Sequence, residues 1–264
     1  MKLALIQLAP VWNDEAANIA KAQALCEANA DADLLVLPEM WATGFDPAGV
    51  RPTPNAPAWM RAFAKEHGSC VAGSLAVREG ERWKNRFYFV GPDGEVAAAY
   101  DKRHVFPYGA ERDYFSAGRE RCLVRCGGMR ILLQTCFDLR FPAFGRNAVL
   151  AESERPFADA RGAVFDVAVY VGCWPQSRID AWDCLLPARA VENQAYTVGV
   201  NHAGTENGVE YGGHSAAYDF SGHALLALGS EEATAAATLD SDALEHFRKK
   251  FPFLQERDAF NFHF

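Results

Sequence analysis

Residues 131–142 read ILLQTCFDLRFP. Ile131, Leu132 and Leu133 follow the turn signal Gly127-Gly128 and form a short apolar run, which predicts a buried strand. Asp138 and Arg140 break the pattern, so Cys136 stands where the strand empties into a polar turn. A thiol in that position has two readings. Free cysteine is among the most buried residue types and usually packs as a small hydrophobe. A cysteine at a strand end, beside the backbone N–H groups of a turn, is also where an acyl-transfer nucleophile is accessible and supplied with oxyanion donors.

The chain on either side alternates strands and helices. Leu3 to Leu8 predicts a first strand, and Asn13 caps a helix from Asp14 to about Asn29 with acidic residues in its first turn. Leu34 to Leu37 is an unbroken apolar run ended by Pro38, the pattern of a strand covered on both faces. Glu39 therefore falls at the C-terminal end of a strand, the edge where open α/β sheets place their sites; as a lone residue it also reads as a solvated loop carboxylate. A helix near Trp59–His67 stops at Gly68, and Cys70–Val77 is the next strand. Trp83–Val90 and Glu95–Tyr100, joined by Gly91-Pro92-Asp93-Gly94, predict a hairpin, so parallel crossovers and hairpins mix in the sheet.

Later strands are expected over Phe165–Val171, Tyr196–Asn201, Ser215–Phe220 and Thr234–Leu239, with Ser241 capping a helix to about Lys250. Residues 148–163 read as a surface insertion with Pro156 and Gly162 as breakers and no catalytic duty. Pro187 predicts a kink in the helix-like segment 181–193 unless it lies in the first turn of a new helix.

Composition narrows the function classes. With 264 residues, 50% hydrophobic and 23% charged, and a mean hydropathy of -0.14, the chain can bury a substantial core and reads as one domain over residues 1–264. A net charge of -8 and a pI near 5.4 argue against a nucleic-acid or anionic-membrane surface. No apolar run approaches the ~18 residues of a membrane span, and Met1-Lys2-Leu3 leads straight into strand-like sequence, so a cytoplasmic location is expected. Seven cysteines without framework spacing fit a reducing compartment. Cys122 and Cys126 read as strand residues beside the Gly127-Gly128 turn; with no second pair or His cluster they make no zinc motif, and no metal is expected.

The hairpin empties into DKRHVFPYGAERDYFSAG, residues 101–118, a segment too rich in charged and aromatic residues for a simple connector. Lys102 can supply a fixed positive charge there or be an ordinary exposed lysine, and Glu111 has the same two readings. Three motifs now line up: Glu39 in LPEMWATGF, Lys102 in YDKRHVF and Cys136 in QTCFDLRFP, supported by VGCWP at 171–175, ARAVENQAY at 188–196 and GHSAAYDFSG at 213–222. In order, context and approximate spacing the chain resembles the nitrilase superfamily of carbon-nitrogen hydrolases from its first strand to roughly residue 250, and its wording is most similar to the ω-amidase branch. The resemblance implies an α/β fold, a four-layer αββα sandwich with two mixed β-sheets, usually paired across subunits. It implies a triad of Cys136, Glu39 and Lys102, with Glu111 matching the family's auxiliary glutamate.

The implied chemistry suits the residue types. Cys136 would attack the amide carbonyl; Glu39 would take the thiol proton, pass it to the departing ammonia and then activate water against the thioester. Lys102 and the backbone N–H of Phe137 would stabilise the oxyanion. No cofactor is required. The favoured substrate is a small carboxylate-bearing amide, 2-oxoglutaramate or 2-oxosuccinamate, and nitrilase or N-carbamoyl amino acid amidohydrolase activity would use the same triad. Arg103, Arg112, Arg140, Tyr108 and His104 border the expected site, where a guanidinium can grip a carboxylate in a fork. Arg140 either binds substrate or pairs with Asp138 or Glu192, and Trp174 either walls the pocket or packs in the core. Rival readings are a Cys-His hydrolase or thiol oxidoreductase using His104, His202 or His214, and a non-catalytic binding module. The tail, residues 251–264, carries five phenylalanines and is expected to contribute to a homodimer contact, within a dimer or higher homo-oligomer.

Overall fold

The protein is described by a computed structural model covering residues 1–260 and Phe262; Asn261, His263 and Phe264 of the aromatic tail lie outside the described residues. In chain order the first half runs β1 (Lys2–Gln7), α1 (Glu15–Glu27), β2 (Leu34–Val36), α2 (Ala56–His67), β3 (Cys70–Glu79), β4 (Arg82–Val90), β5 (Val96–Asp101) and the short α3 (Glu111–Tyr114). The second half runs β6 (Cys122–Cys126), β7 (Met129–Thr135), β8 (Val167–Val171), α4 (Ile179–Asn193), β9 (Tyr196–Val200), β10 (Ala203–Glu206), β11 (Val209–Gly212), β12 (Ala216–Tyr218), β13 (Ala224–Ala227), β14 (Ala233–Thr238) and α5 (Ser241–Lys250).

The strands form two six-stranded mixed sheets, ordered β14-β1-β2-β3-β4-β5 and β13-β12-β9-β8-β7-β6, with β10 and β11 as a separate hairpin. Strand periodicity explains how the layers assemble. Leu3, Leu5, Leu34 and Val36 face the other sheet and pack with Ile131, Leu133, Val167, Val169 and Val198. The alternate residues Ala4, Ile6, Leu35 and Leu37 meet Ala22, Cys26, Met60 and Phe63 of α1 and α2. On the other side Leu132, Ala168 and Tyr170 meet Trp182 and Leu186 of α4. The order helix, sheet, sheet, helix is the expected αββα sandwich, and strands apolar on both faces read as unbroken apolar runs for that reason. Each fully buried Leu, Ile or Val contributes roughly 1.5–3 kcal/mol.

Local details depart from the sequence reading. Asp14, not Asn13, caps α1, its carboxylate accepting from the N–H of Ala17, while Asn13 takes a left-handed φ of 53° and turns its amide to Asp46. Asp240, not Ser241, caps α5 by accepting from Asp242 and Ala243. In both cases the residue one step away presents its oxygen to the free N–H groups of the first turn. Pro187 opens no new helix: α4 continues through it, held by the packing of Trp182 and Leu186 against the sheet. The β10–β11 hairpin and β13 were not anticipated. Residues 148–163 are more than a surface loop, because a 3-10 turn over Glu152–Phe157 buries Glu154, which pairs with Arg121 and accepts from the N–H of Leu150. No helix among the described residues is long and apolar enough to cross a membrane.

Candidate active site

Three chain segments converge at the C-terminal ends of β2, β5 and β7. The loop after β2 brings Glu39, the residue after β5 is Lys102, and Cys136 follows β7 at the start of a 3-10 turn, Cys136–Arg140. Glu39 is fully buried rather than a solvated loop carboxylate, and Lys102 and Glu111 are each 1% exposed. Cys136 is half-buried.

The lysine is the hub of the charges. Its Nζ donates to Oε1 of Glu39 at 2.9 Å and to both carboxylate oxygens of Glu111 at 2.9 Å. Asn85, from β4, donates its amide to Oε1 of Glu39 at 2.6 Å, and the thiol of Cys173 donates to Oε2 at 2.8 Å. The backbone N–H of Phe106 donates to Glu111 at 2.7 Å. The reactive atoms of Glu39, Cys136 and Cys173 all lie within 4.8 Å of one another.

Burial alone would push the Glu39 carboxyl up, but the Lys102 charge and the Cys173 and Cys136 thiols outweigh it and hold the group below its ordinary value. Burial likewise opposes the Lys102 ammonium, and the carboxylates of Glu111 and Glu39 reverse this and hold it charged. Glu111 goes the other way: burial raises it against the pull of Lys102, and the neighbouring Glu39 charge adds to the rise. One ammonium between two carboxyls thus leaves Glu39 as the more readily ionised partner. Burial also pushes the Cys173 thiol up, which suits its role as a hydrogen-bond donor to Glu39.

Backbone strain marks both motifs. Cys136 has φ of 48° and Met40, next to Glu39, also has φ of 48°, left-handed conformations that cost of order 1–3 kcal/mol each in a residue with a Cβ. Buried polar groups hold them in place. The N–H of Met40 donates to Oγ of Ser74 at 3.0 Å, and the ring of His202 bonds the carbonyl oxygen of Glu39 on one side and Glu206 on the other. Burial disfavours the His202 imidazolium, yet Glu206 overcomes it and raises the ring's pKa. On the cysteine side, Asp138 is fully buried and accepts from Tyr100 (2.7 Å), the N–H of Thr135 (2.9 Å), and the N–H (2.9 Å) and Nδ1 (2.7 Å) of His104.

A cavity of about 190 Å³ opens over Cys136 and Lys102. Phe137, Arg140, Trp174 and Tyr108, all anticipated, line it; Phe45, Phe106, Cys173, Arg178 and Tyr211, not anticipated, line it too. Arg140 lies over the Trp174 ring at 4.9 Å and does not brace the turn through Asp138 or Glu192: Asp138 is occupied by Tyr100 and His104, and Glu192 pairs with Arg189 at 3.0 Å. Trp174 lines the cavity and also packs on Trp182, so the two alternatives read from the sequence are not exclusive. Arg178 lies over Phe106 at 5.1 Å. Arg103, Arg112 and His104 line a different groove. The rings of His104, His202 and His214 hydrogen-bond carboxylates of Asp138, Glu206 and Asp183. The group that hydrogen-bonds the Cys136 thiol is the Glu39 carboxylate, and no described histidine joins the Glu39, Cys136 and Cys173 cluster. Asn85 and Cys173 had no role in the sequence reading, although Cys173 lay inside the quoted motif VGCWP; Asp138, inside QTCFDLRFP, was read only as a breaker of the strand pattern and a partner for Arg140, and His202 only as a rival base for Cys136.

The arrangement matches known proteins. A family model of carbon-nitrogen hydrolases matches residues 2–249. The chain is 37% identical to an omega-amidase, YafV, of Yersinia enterocolitica, with 98% of each chain covered. It is 34% identical to a 2-oxoglutaramate amidase of Bacillus subtilis, with 89% of each covered. Of solved structures, a CN-hydrolase superfamily protein of Xanthomonas campestris, with an arsenic adduct in its active site, superposes with a TM-score of 0.92 at 34% identity, covering 100% of this chain and 99% of that one. An amidase variant of Nesterenkonia sp. AN1 in complex with butyramide gives a TM-score of 0.79 at 27% identity, with 96% of each chain covered.

Proposed function

Because the chain belongs to the carbon-nitrogen hydrolase family and is an amide-hydrolysing member of it, we propose that it cleaves the terminal amide of a small 2-oxo acid, 2-oxoglutaramate or 2-oxosuccinamate, through a Cys136 thioester. The observation that carries this is Glu39, ionised and fully buried, within 4.8 Å of the Cys136 sulfur and 2.9 Å from the Lys102 ammonium.

Glu39 accepts the Cys136 proton and the thiolate adds to the amide carbonyl carbon. The oxygen, now negative, is held by Lys102 Nζ and the N–H of Phe137; one such donor is commonly worth ~10²–10³ in rate. Collapse of the tetrahedral species breaks the C–N bond, Glu39 returns the proton to the departing ammonia, and a thioester remains. Water then gives a proton to Glu39 as its oxygen adds to the thioester carbon; collapse breaks the C–S bond, Glu39 returns that proton to the Cys136 sulfur, and the carboxylic acid departs. Glu111 holds the lysine in place through two hydrogen bonds. Residues 1–264 act as one domain, since the core between the sheets draws on residues from Leu3 to Leu244.

The carboxylate preference rests on Arg140 and Arg178, two guanidiniums at the cavity over Cys136. A guanidinium and a carboxylate pair in a planar fork, and the flat rings of Trp174 and Phe106 fix the orientation of both arginines. The test is kcat/KM for 2-oxoglutaramate against butyramide and butyronitrile. A preference of several-fold or more for the dicarboxylic monoamide is expected, because the apolar compounds leave the guanidiniums unpaired. Equal values, or a preference for the nitrile or for an N-carbamoyl amino acid, overturn the substrate assignment and favour the nitrilase or carbamoylase reading of the same triad.

A further inference from the structure

Cys173 is not required by the reaction above, yet it sits in the reactive cluster. Strands β7 and β8 are parallel neighbours with Thr135 opposite Val171, so Cys136 and Cys173 leave adjacent strands at the same sheet edge. Cys173 is buried at 7% exposure and aims its sulfur at Oε2 of Glu39, while Oε1 is occupied by Lys102 and Asn85. We propose that Cys136 Sγ, Cys173 Sγ and Glu39 Oε2 form a three-ligand site for a thiophilic divalent cation of the zinc and cadmium class, whose occupancy blocks the nucleophile.

Ligand chemistry and size support the site. Two sulfurs and one carboxylate oxygen are a donor set that zinc-class ions accept, and three protein ligands leave a fourth position open. Bond lengths near 2.3 Å to sulfur and about 2.1 Å to oxygen separate tetrahedral ligands by ~3.5–3.8 Å, so pairs at the 4.8 Å limit of the cluster close by about 1 Å and the Cys173–Glu39 pair, now 2.8 Å apart, opens by somewhat less. The open position faces the cavity, which Cys136 and Cys173 both line, giving the ion an entry path. Among the described residues no other set of three His, Cys, Asp or Glu side chains converges in this way.

The charge balance favours binding. Two S–H bonds break, two metal–sulfur bonds form, and two protons pass to solvent with no change in oxidation state. The ion adds two positive charges and the lost protons remove two, so the net charge of the buried site is unchanged. Lys102 keeps its bond to Oε1 of Glu39 and continues to neutralise that carboxylate. The high proton affinity of the Cys173 thiol is no bar, because a coordinated thiol is deprotonated by the metal itself.

Cadmium chloride alone, titrated into the reduced full chain without substrate, tests the site through the ultraviolet thiolate-to-cadmium absorption and through calorimetry. The expected result is one ion per chain with the intensity of two Cd–S bonds. Cys173→Ala and Cys136→Ala should each weaken binding by more than the roughly 10–100-fold that loss of an outer ligand partner costs, and halve the absorption per ion. Cys173→Ser, which keeps a donor to Glu39, guards against a variant that does not fold. A second thiol pair, Cys70 and Cys126 with sulfurs 3.2 Å apart, provides the counter-test. The proposal is overturned if cadmium binds the Cys173 variants as it binds wild type, or if the absorption vanishes with Cys70→Ala instead. Since the absorption is read without substrate, its failure leaves the amidase reading intact, and loss of amide turnover leaves the metal site intact.

Discussion

The hydroxyl of Tyr100 donates to Oδ2 of Asp138 at 2.7 Å, joining the last strand of one sheet to the turn after Cys136 in the other. Lys102 is two residues beyond Tyr100, and Cys136 is two residues before Asp138. Both partners are buried, at 1% and 0% exposure, so the bond sets the spacing between the lysine and the cysteine without solvent competing for it.

Removing that hydroxyl should therefore loosen the site as well as the fold. For Tyr100→Phe we expect a loss of ~1–3 kcal/mol in stability, since Asp138 loses a buried donor, and a fall in kcat larger than any change in KM. Urea unfolding at unchanged m together with steady-state kinetics checks both. Wild-type kcat in the variant would show that the turn is positioned by the N–H groups of Thr135 and His104 alone.

The proposed triad makes graded predictions. Cys136→Ala should abolish turnover, Glu39→Gln should nearly do so, and Lys102→Ala should lose at least ~10² in rate while keeping its fold by circular dichroism. Acid-quenched wild type should carry an acyl adduct on the Cys136 peptide by mass spectrometry. Because Lys102 and the neighbouring thiols hold Glu39 below its ordinary value, the acid limb of kcat/KM attributable to it should lie below the usual glutamate range near pH 4.3. A Cys136→Ala protein with a tenth of wild-type activity would end the covalent mechanism.

Acid should expose a separate buried cluster. Burial raises the Asp166 carboxyl, but Arg130, with help from Arg248, outweighs it and holds the group below its ordinary value. Such a group stabilises the fold above its unfolded pKa, about 3.9, and the contribution is lost as pH falls through the folded value. Asp166→Asn should cost about 3–5 kcal/mol near neutrality, because Arg130 and Arg248 lose their shared partner, and the gap to wild type should narrow below about pH 4. Thermal unfolding of both proteins between pH 3 and 7 measures it; a gap that stays constant would assign the cost to packing.

The tail should help pair subunits. Leu254 is buried in its own chain and Phe262 lies edge-on to Phe144, yet Phe253 is 63% exposed and Phe260 is 36% exposed. We expect a homodimer in which these rings are covered, weakened by deletion of residues 251–264 and, more gently, by Phe253→Ser. Light scattering of the full-length protein at micromolar concentration decides it, a monomer being the result that excludes the tail's role.

Taken by itself, the amino-acid sequence determined the parts of this protein that are written in neighbouring residues. Apolar runs such as Leu34–Leu37 and Ile131–Leu133 marked strands covered on both faces, and Pro38, Gly68 and Gly127-Gly128 punctuated them, because burial period and backbone preference are local properties. The motifs around Glu39, Lys102 and Cys136 were legible only together, through their resemblance to a known family, since each residue alone also read as an ordinary loop or core side chain. Only the tertiary structure decided what those residues meet. Cys173 reaches Glu39 across 134 positions and Asn85 reaches it across 46, and both contacts exist because strands from separate segments end at one edge. Arg103 and Arg178 illustrate the limit: sequence proximity favoured the first, but a loop's side chains point to either side, and packing turned Arg178 to the cavity and Arg103 to another groove. Folding also placed Glu39, Lys102 and Glu111 out of water, where one ammonium and two carboxyls shift one another's protonation, an effect that depends on distances no linear sequence contains.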